Sequence, residues 1–213
     1  MKTFIKENIQ KMYEKYAKIF DEKIASLAIY NDSYNYLLNC IQDDSVILDL
    51  ACGPGNVSFY IKKYKPALSI TGVDISEEMI GIAKNRIPDG KFFVRDICEI
   101  EFKNEFDWAV CAFAIPYLDL EAADHLVKKI NQSMRSNGIF YISFMEGSKN
   151  GFEKTSFTGN DELFVYYHPK EAVLKILEQQ SLSVIKNFEI DYHEMDGTIT
   201  KEIIYIGEKS YTG

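Results

Sequence analysis

Basic charge is scarce in this chain. Its 213 residues carry 24 Lys and Arg against 32 Asp and Glu, a formal net charge of −8, with a pI near 5.0. A nucleic-acid substrate calls for a basic face that displaces counterions, so this balance argues against one. The lysines of the first segment (Lys2, Lys6, Lys11, Lys15, Lys18, Lys23) alternate with Glu7, Glu14 and Glu22, as on a solvated helix face. Cysteine is sparse too: Cys40, Cys52, Cys98 and Cys111 contain no close pair with metal-ligand spacing and read as free thiols of a reducing compartment. Three histidines, His125, His168 and His193, are too scattered for a helical metal pair. No apolar run is long enough to span a bilayer, and the first residues lack the apolar core of a signal peptide. The expectation is a cytoplasmic protein with no membrane partner and no metal. There are no repeats, no low-complexity tract and no Pro- or Gly-rich linker, and 46% hydrophobic residues over this length suit one domain with a sizeable core.

What is present is concentrated at one place. Val46-Ile-Leu-Asp-Leu-Ala-Cys-Gly-Pro-Gly-Asn56 is an apolar run ending in an acid and a glycine-containing turn. Val46, Ile47 and Leu48 suit a strand buried on both faces. Gly53 and Gly55 permit a tight turn and close approach of a ligand, and the helix expected next aims its N-terminal amides over that turn. Leu68 to Asp74 is a second strand ending in an acid, and an acid there normally accepts from ribose hydroxyls. Phe92 to Asp96 is a third, and Phe106 to Phe113 a fourth that ends in small residues at Ala112 and Ala114. A dinucleotide fold shares the first two features, because Gly53-x-Gly55-x-x-Ser58 nearly fits its fingerprint. That fingerprint requires neither Asp49 nor Asp96.

Helices are expected over 4–28, 32–41, 56–64, 76–87, 119–135 and 169–180, the fifth stopping at Asn137-Gly138. Strands are expected over 45–50, 68–74, 91–95, 106–113 and 138–145. Such alternation predicts an α/β fold, a doubly wound, mostly parallel sheet. Two β-rich runs, 182–192 and 198–207, joined through Met195-Asp196-Gly197, read as a C-terminal antiparallel hairpin.

Together these residues resemble the class I S-adenosylmethionine-dependent methyltransferases of the small-molecule branch, over about residues 10 to 145. Their first motif, Asp/Glu-x-Gly-x-Gly-x-Gly, is matched by Asp49-Leu-Ala51-Cys-Gly53-Pro-Gly55, with Ala51 in place of the first glycine. The resemblance implies a seven-stranded Rossmann-like methyltransferase sheet, S-adenosylmethionine as cofactor and S-adenosylhomocysteine as product. It implies that Asp49, Ala51, Gly53 and Gly55 bind the cofactor, the first three holding its methionine part. It further implies that Asp74 grips the ribose with Ile75 on the adenine, that Asp96 takes the adenine amine with Ile97 beside it, and that Ala112 closes the pocket under the sulfonium. Tyr13, Ala17 and Asp21 resemble a Tyr-Asp-x-x-Ala-x-x-Tyr-Asp segment that folds over the cofactor. Glu14 and Phe20 depart from it, and Tyr13 or Tyr16 is the candidate contact. The alternative for that segment is plain packing of an amphipathic helix.

The implied division is a helical cap (1–42), a cofactor-binding core (43–145), a lid or substrate loop (146–168), and a helix with the hairpin (169–213). The acceptor is expected to be a small molecule, and the protein a monomer or homodimer. The sulfonium is already an activated donor, so the protein orients and excludes water. If the acceptor atom needs a base, the candidates are Tyr117, Glu146, His168 and His193. No Asp/Asn-Pro-Pro-Tyr/Phe run or Pro-Cys pair follows the fourth strand, which counts against the DNA enzymes of those patterns. Two other readings stand beside methyl transfer: a non-catalytic S-adenosylmethionine-binding sensor or partner subunit, and an NAD(P)-dependent oxidoreductase.

Overall fold

The apolar runs of the sequence become the centre of one sheet. The computed structural model describes residues 2–25, 28–193 and 198–210. Helices α1 (Lys2–Ala25) and α2 (Asn31–Cys40) lead into β1 (Val46–Leu50), α3 (Asn56–Tyr64), β2 (Ser69–Asp74), α4 (Glu77–Arg86) and β3 (Lys91–Val94). Then come β4 (Phe106–Cys111), α5 (Leu120–Ser133), β5 (Met134–Met145), β6 (Asn150–Glu153) and β7 (Leu163–Tyr166). Helix α6 (Lys170–Gln179), β8 (Leu182–His193) and β9 (Ile199–Lys209) complete the chain.

Seven strands form one sheet in the order β3-β2-β1-β4-β5-β9-β8. The first five are parallel; β9 runs antiparallel to both β5 and β8. Side chains alternate between the faces with the period of two that strands impose. Leu48, Leu50, Phe140 and Ile142 meet Leu126 and Ile130 of α5 and Leu177 of α6. Ile47, Trp108 and Tyr141 meet Leu37 of α2, Ile61 of α3 and Ile80 of α4. The chain winds outward from β1 to β3 and then crosses back to β4. The β1/β4 border is therefore the switch point where open α/β sheets leave a crevice for ligands.

Two expectations need correction. Helix α5 ends at Ser133, before Asn137-Gly138. Asn137, at φ +62°, instead lies in the irregular start of β5, where the pairing with β4 shifts register between Phe106 and Trp108. The helix stop is tertiary: Lys209 of β9 donates to the carbonyls of Asn131 and Met134, satisfying groups left open at the helix end. The stretch expected as a long structureless loop after residue 146 contains β6 and β7, which pair antiparallel as a separate two-stranded sheet. Leu163 and Val165 are buried while Phe164 and Tyr166 are only half-covered, so the ribbon presses one face onto the domain. The Met195-Asp196-Gly197 turn lies outside the described residues, as does the side chain of His193.

Candidate active site at the ends of the parallel strands

After β1 the backbone turns through left-handed conformations at Ala51 (φ +52°), Gly53 (+52°) and Gly55 (+79°). The Cys52 amide donates to the Val73 carbonyl at 3.0 Å, tying the turn to β2. A Cβ at Gly53 would lie 3.7 Å from the Phe20 ring, beneath α1. One at Gly55 would meet Ala83 at 3.4 Å, so Gly55 serves the approach of α3 to α4.

Above the turn lies a cavity of about 270 Å³. Of the residues singled out in the sequence, Tyr13, Asp49, Ala51, Gly53, Asp74, Ile75, Asp96, Ile97, Ala112 and Tyr117 line it; Tyr16, Gly55, Glu146 and His168 do not. Asp49, on β1, is buried and accepts from the Ser58 hydroxyl at 2.5 Å. Burial pushes its carboxyl up to about 7, Ser58 pulls the other way, and the charge of Asp74 adds to the rise. Asp74, also buried, accepts from the amides of Gly53 (2.8 Å) and Ser76 (2.9 Å), and so braces the turn. Burial raises its pKa too, against those amides. Among the described residues no basic side chain pairs with either acid, so the cavity presents buried negative charge that calls for a cation. Asp96 accepts from the Cys98 amide at 2.8 Å and pairs with Lys6 of α1 at 2.5 Å.

Helix α1 is fastened across this cavity by contacts that local sequence does not reveal. Gln10 donates to the Ile75 carbonyl at 3.2 Å. Glu14 accepts from the amides of Glu77 and Glu78, the open donors of the first turn of α4 (2.7 and 3.1 Å). Asp21 takes both its bonds from Arg86 Nη2 at 2.7 Å, and Arg86 Nη1 donates to the Pro54 carbonyl. Glu14 and Asp21 were visible as motif positions, but their partners were not. Tyr16 donates to Asp161 at 2.6 Å, binding α1 to the stretch between β6 and β7. Phe157 from that stretch packs against Tyr13 and Phe20, with ring centroids 5.3 and 5.0 Å apart. Tyr13 donates to the Tyr117 hydroxyl at 2.7 Å.

The other base candidates stand apart. Glu146 pairs with Lys170 at 3.6 Å. His168 is 2% exposed and hydrogen-bonds through Nε2 to the Leu118 carbonyl at 3.0 Å, and burial lowers its pKa. That is the environment of a packing histidine. Among the described residues no group of three or more His, Cys, Asp or Glu is placed to hold a metal, and no helix is long and apolar enough to cross a membrane.

Residues 47–138 match the family described as a methyltransferase domain. The chain is 28% identical over 163 residues to a putative methyltransferase, YqeM, of Bacillus subtilis, covering 73% of this chain and 65% of that one. Residues 47–138 thus carry a methyltransferase domain of the class I S-adenosylmethionine-dependent kind. The methyltransferase is also 25% identical over 202 residues to the carboxy-S-adenosyl-L-methionine synthase of Campylobacter fetus, covering 89% of this chain and 84% of that one. In fold it is similar to the Burkholderia thailandensis 1,6-didemethyltoxoflavin-N1-methyltransferase, solved with bound 1,6-didemethyltoxoflavin and S-adenosylhomocysteine (TM-score 0.75, 14% identity, 99% of this chain and 91% of that one). The family's methyl donor, S-adenosylmethionine, carries a sulfonium and an ammonium. The unpaired buried acids, the cavity above the turn and the left-handed backbone fit it.

Proposed function

We propose that this methyltransferase transfers a methyl group from S-adenosylmethionine to a small-molecule acceptor. The observation that carries the reading is the convergence of Asp49, Asp74 and Asp96, from the ends of three neighbouring parallel strands, on one cavity. In this reading Asp49, with the backbone at Ala51 and Gly53, holds the cationic methionine part. Asp74 takes the ribose hydroxyls; an ionised carboxylate has about four lone-pair sites, so its two amide bonds leave capacity for them. Ile75 and Ile97 flank the adenine, Asp96 accepts its amine, and Ala112 lies under the sulfonium. Tyr13 covers the methionine end, while Tyr16 braces the cover through Asp161. When bound, the cofactor supplies a methyl group already activated for displacement. The chain holds the acceptor in line and, through α1 and the β6–β7 segment acting as a lid, keeps water out. The same reading places the enzyme in the cytoplasm as a monomer or homodimer, without a nucleic-acid partner.

The test is calorimetric titration with S-adenosylhomocysteine and with NADH, in wild type and Asp74→Asn, with melting curves as a check on folding. The expected result is tight binding of the nucleoside alone, weakened by the substitution. Binding of NADH in its place refutes the assignment. The likeness to the Campylobacter fetus synthase along most of both chains favours one second reading, modification of the cofactor itself. Mass spectrometry of the nucleoside product separates the two: S-adenosylhomocysteine for methyl transfer, a carboxylated sulfonium for the other.

A further inference from the structure

A second cavity, of about 80 Å³, adjoins the first across Tyr13, Phe20, Phe113 and Tyr117, whose rings line both. Two carboxylates line it as well. Glu153 accepts from the Tyr167 hydroxyl at 2.8 Å. Glu202 is the unexpected one: it is 4% exposed, on a strand whose neighbouring positions Ile203, Ile204 and Ile206 are all fully buried. On packing grounds position 202 asks for an apolar side chain.

Its two oxygens differ. Oε2 accepts from the Tyr30 hydroxyl at 2.6 Å. Oε1 is shielded from solvent and has no hydrogen-bond partner among the described residues. The Ser143 hydroxyl lies close enough to favour the charged form but reaches Oε1 in no hydrogen-bonding geometry; its oxygen accepts from the Phe113 amide at 2.9 Å. A carboxylate kept only to tie down Tyr30 would be needless, because a glutamine oxygen accepts the same bond without burying a charge. The second oxygen needs a ligand.

We propose that this second cavity is the acceptor site and that Glu202 Oε1 receives the proton of a flat, apolar acceptor bearing one O–H or N–H group. The inference rests on the methyl-transfer reading. The acceptor's O–H or N–H bond breaks and leaves its electron pair on the acceptor atom, while the proton bonds to Oε1. That atom bonds the methyl carbon as the methyl–sulfur pair returns to sulfur, so one negative and one positive charge vanish together. The ring walls account for a flat apolar body: Tyr13 and Phe157 lie 5.3 Å apart at 32°, and Phe20 stands edge-on to both. Burial pushes the Glu202 carboxyl up to about 7, with Ser143 and Tyr30 opposing, which is the range in which a base works at neutral pH.

Phenol and anisole probe the site, since they share a ring and only phenol has a protic group. Both are titrated into protein saturated with S-adenosylhomocysteine, in wild type and in Glu202→Gln. In the variant the amide oxygen is engaged by Tyr30 and the NH₂ faces the cavity. We expect wild type to bind phenol at least tenfold tighter than anisole. The variant should lose that preference while keeping its affinity for S-adenosylhomocysteine within about threefold and melting cooperatively at a temperature no lower than that of wild type. Equal binding of the two probes by wild type, no binding of phenol, or a preference that survives Glu202→Gln overturns the proposal. The wild-type comparison decides even if the variant does not fold. Failure of S-adenosylhomocysteine itself to bind overturns the methyl-transfer reading, and is recognised before either probe is added.

Discussion

Replacing Asp49 by asparagine removes a buried acid that no basic side chain pairs with among the described residues. The carboxyl is pushed from 3.8 up to about 7, so the folded state holds its proton more tightly than the unfolded chain does. With that sign, the stability associated with the protonated form is complete below about pH 4 and is lost as pH rises through about 7. The loss over that window is on the order of 4 kcal/mol, at about 1.4 kcal/mol for each tenfold change in proton affinity. Asparagine never ionises, and its oxygen still accepts from Ser58. In urea titrations without cofactor, Asp49→Asn should therefore be more stable than wild type at pH 8, by on the order of 4 kcal/mol. The gap should close towards pH 4. Glu202, also raised to about 7, titrates alike in both proteins and cancels from the difference. Affinity for S-adenosylmethionine should fall by about 100-fold, because the ammonium or sulfonium loses its buried partner. An asparagine variant no more stable than wild type at pH 8, or a gap indifferent to pH, would refute the reasoning.

Other substitutions follow from the same geometry. Arg86→Met removes the ion pair and both hydrogen bonds to Asp21, the two side chains being 19% exposed, and should cost about 2 kcal/mol in urea titration, after allowance for partial solvent screening. It should also weaken S-adenosylhomocysteine binding in calorimetry, because α1 is released from α4. Ala51→Gly relieves a methyl-bearing residue at φ +52° and should stabilise by about 0.5 kcal/mol, the left-handed penalty slightly exceeding the entropy that glycine costs; a loss of stability would contradict this. Gly207→Ala places a Cβ 2.1 Å from the Ser183 carbonyl oxygen, and should lower stability by about 3 kcal/mol and the melting temperature by roughly 6 to 12 °C in calorimetric scans.

The sequence by itself determined the parallel core and its cradle. Val46–Leu48, the acids after three strands and the glycine turn are local patterns: apolar runs report burial, and positive-φ turns demand small residues. Nine of the eleven positions assigned to the cofactor line one cavity for that reason. The Asn137-Gly138 stop misled because turn residues look alike wherever they occur, while the true end of α5 depends on Lys209, 75 residues beyond Met134. The β6–β7 ribbon was missed because Asn150–Glu153 is polar and short, and becomes a strand only beside Leu163–Tyr166. Tertiary structure alone decided how α1 closes the cavity, since Glu14 needs the open amides of α4 and Asp21 needs Arg86. It alone set Glu202 against Tyr30, 172 positions earlier. Local pattern encodes which elements form and which face they bury. A charge buried against a distant partner leaves no periodicity to read, and it becomes visible only when the fold brings the two together.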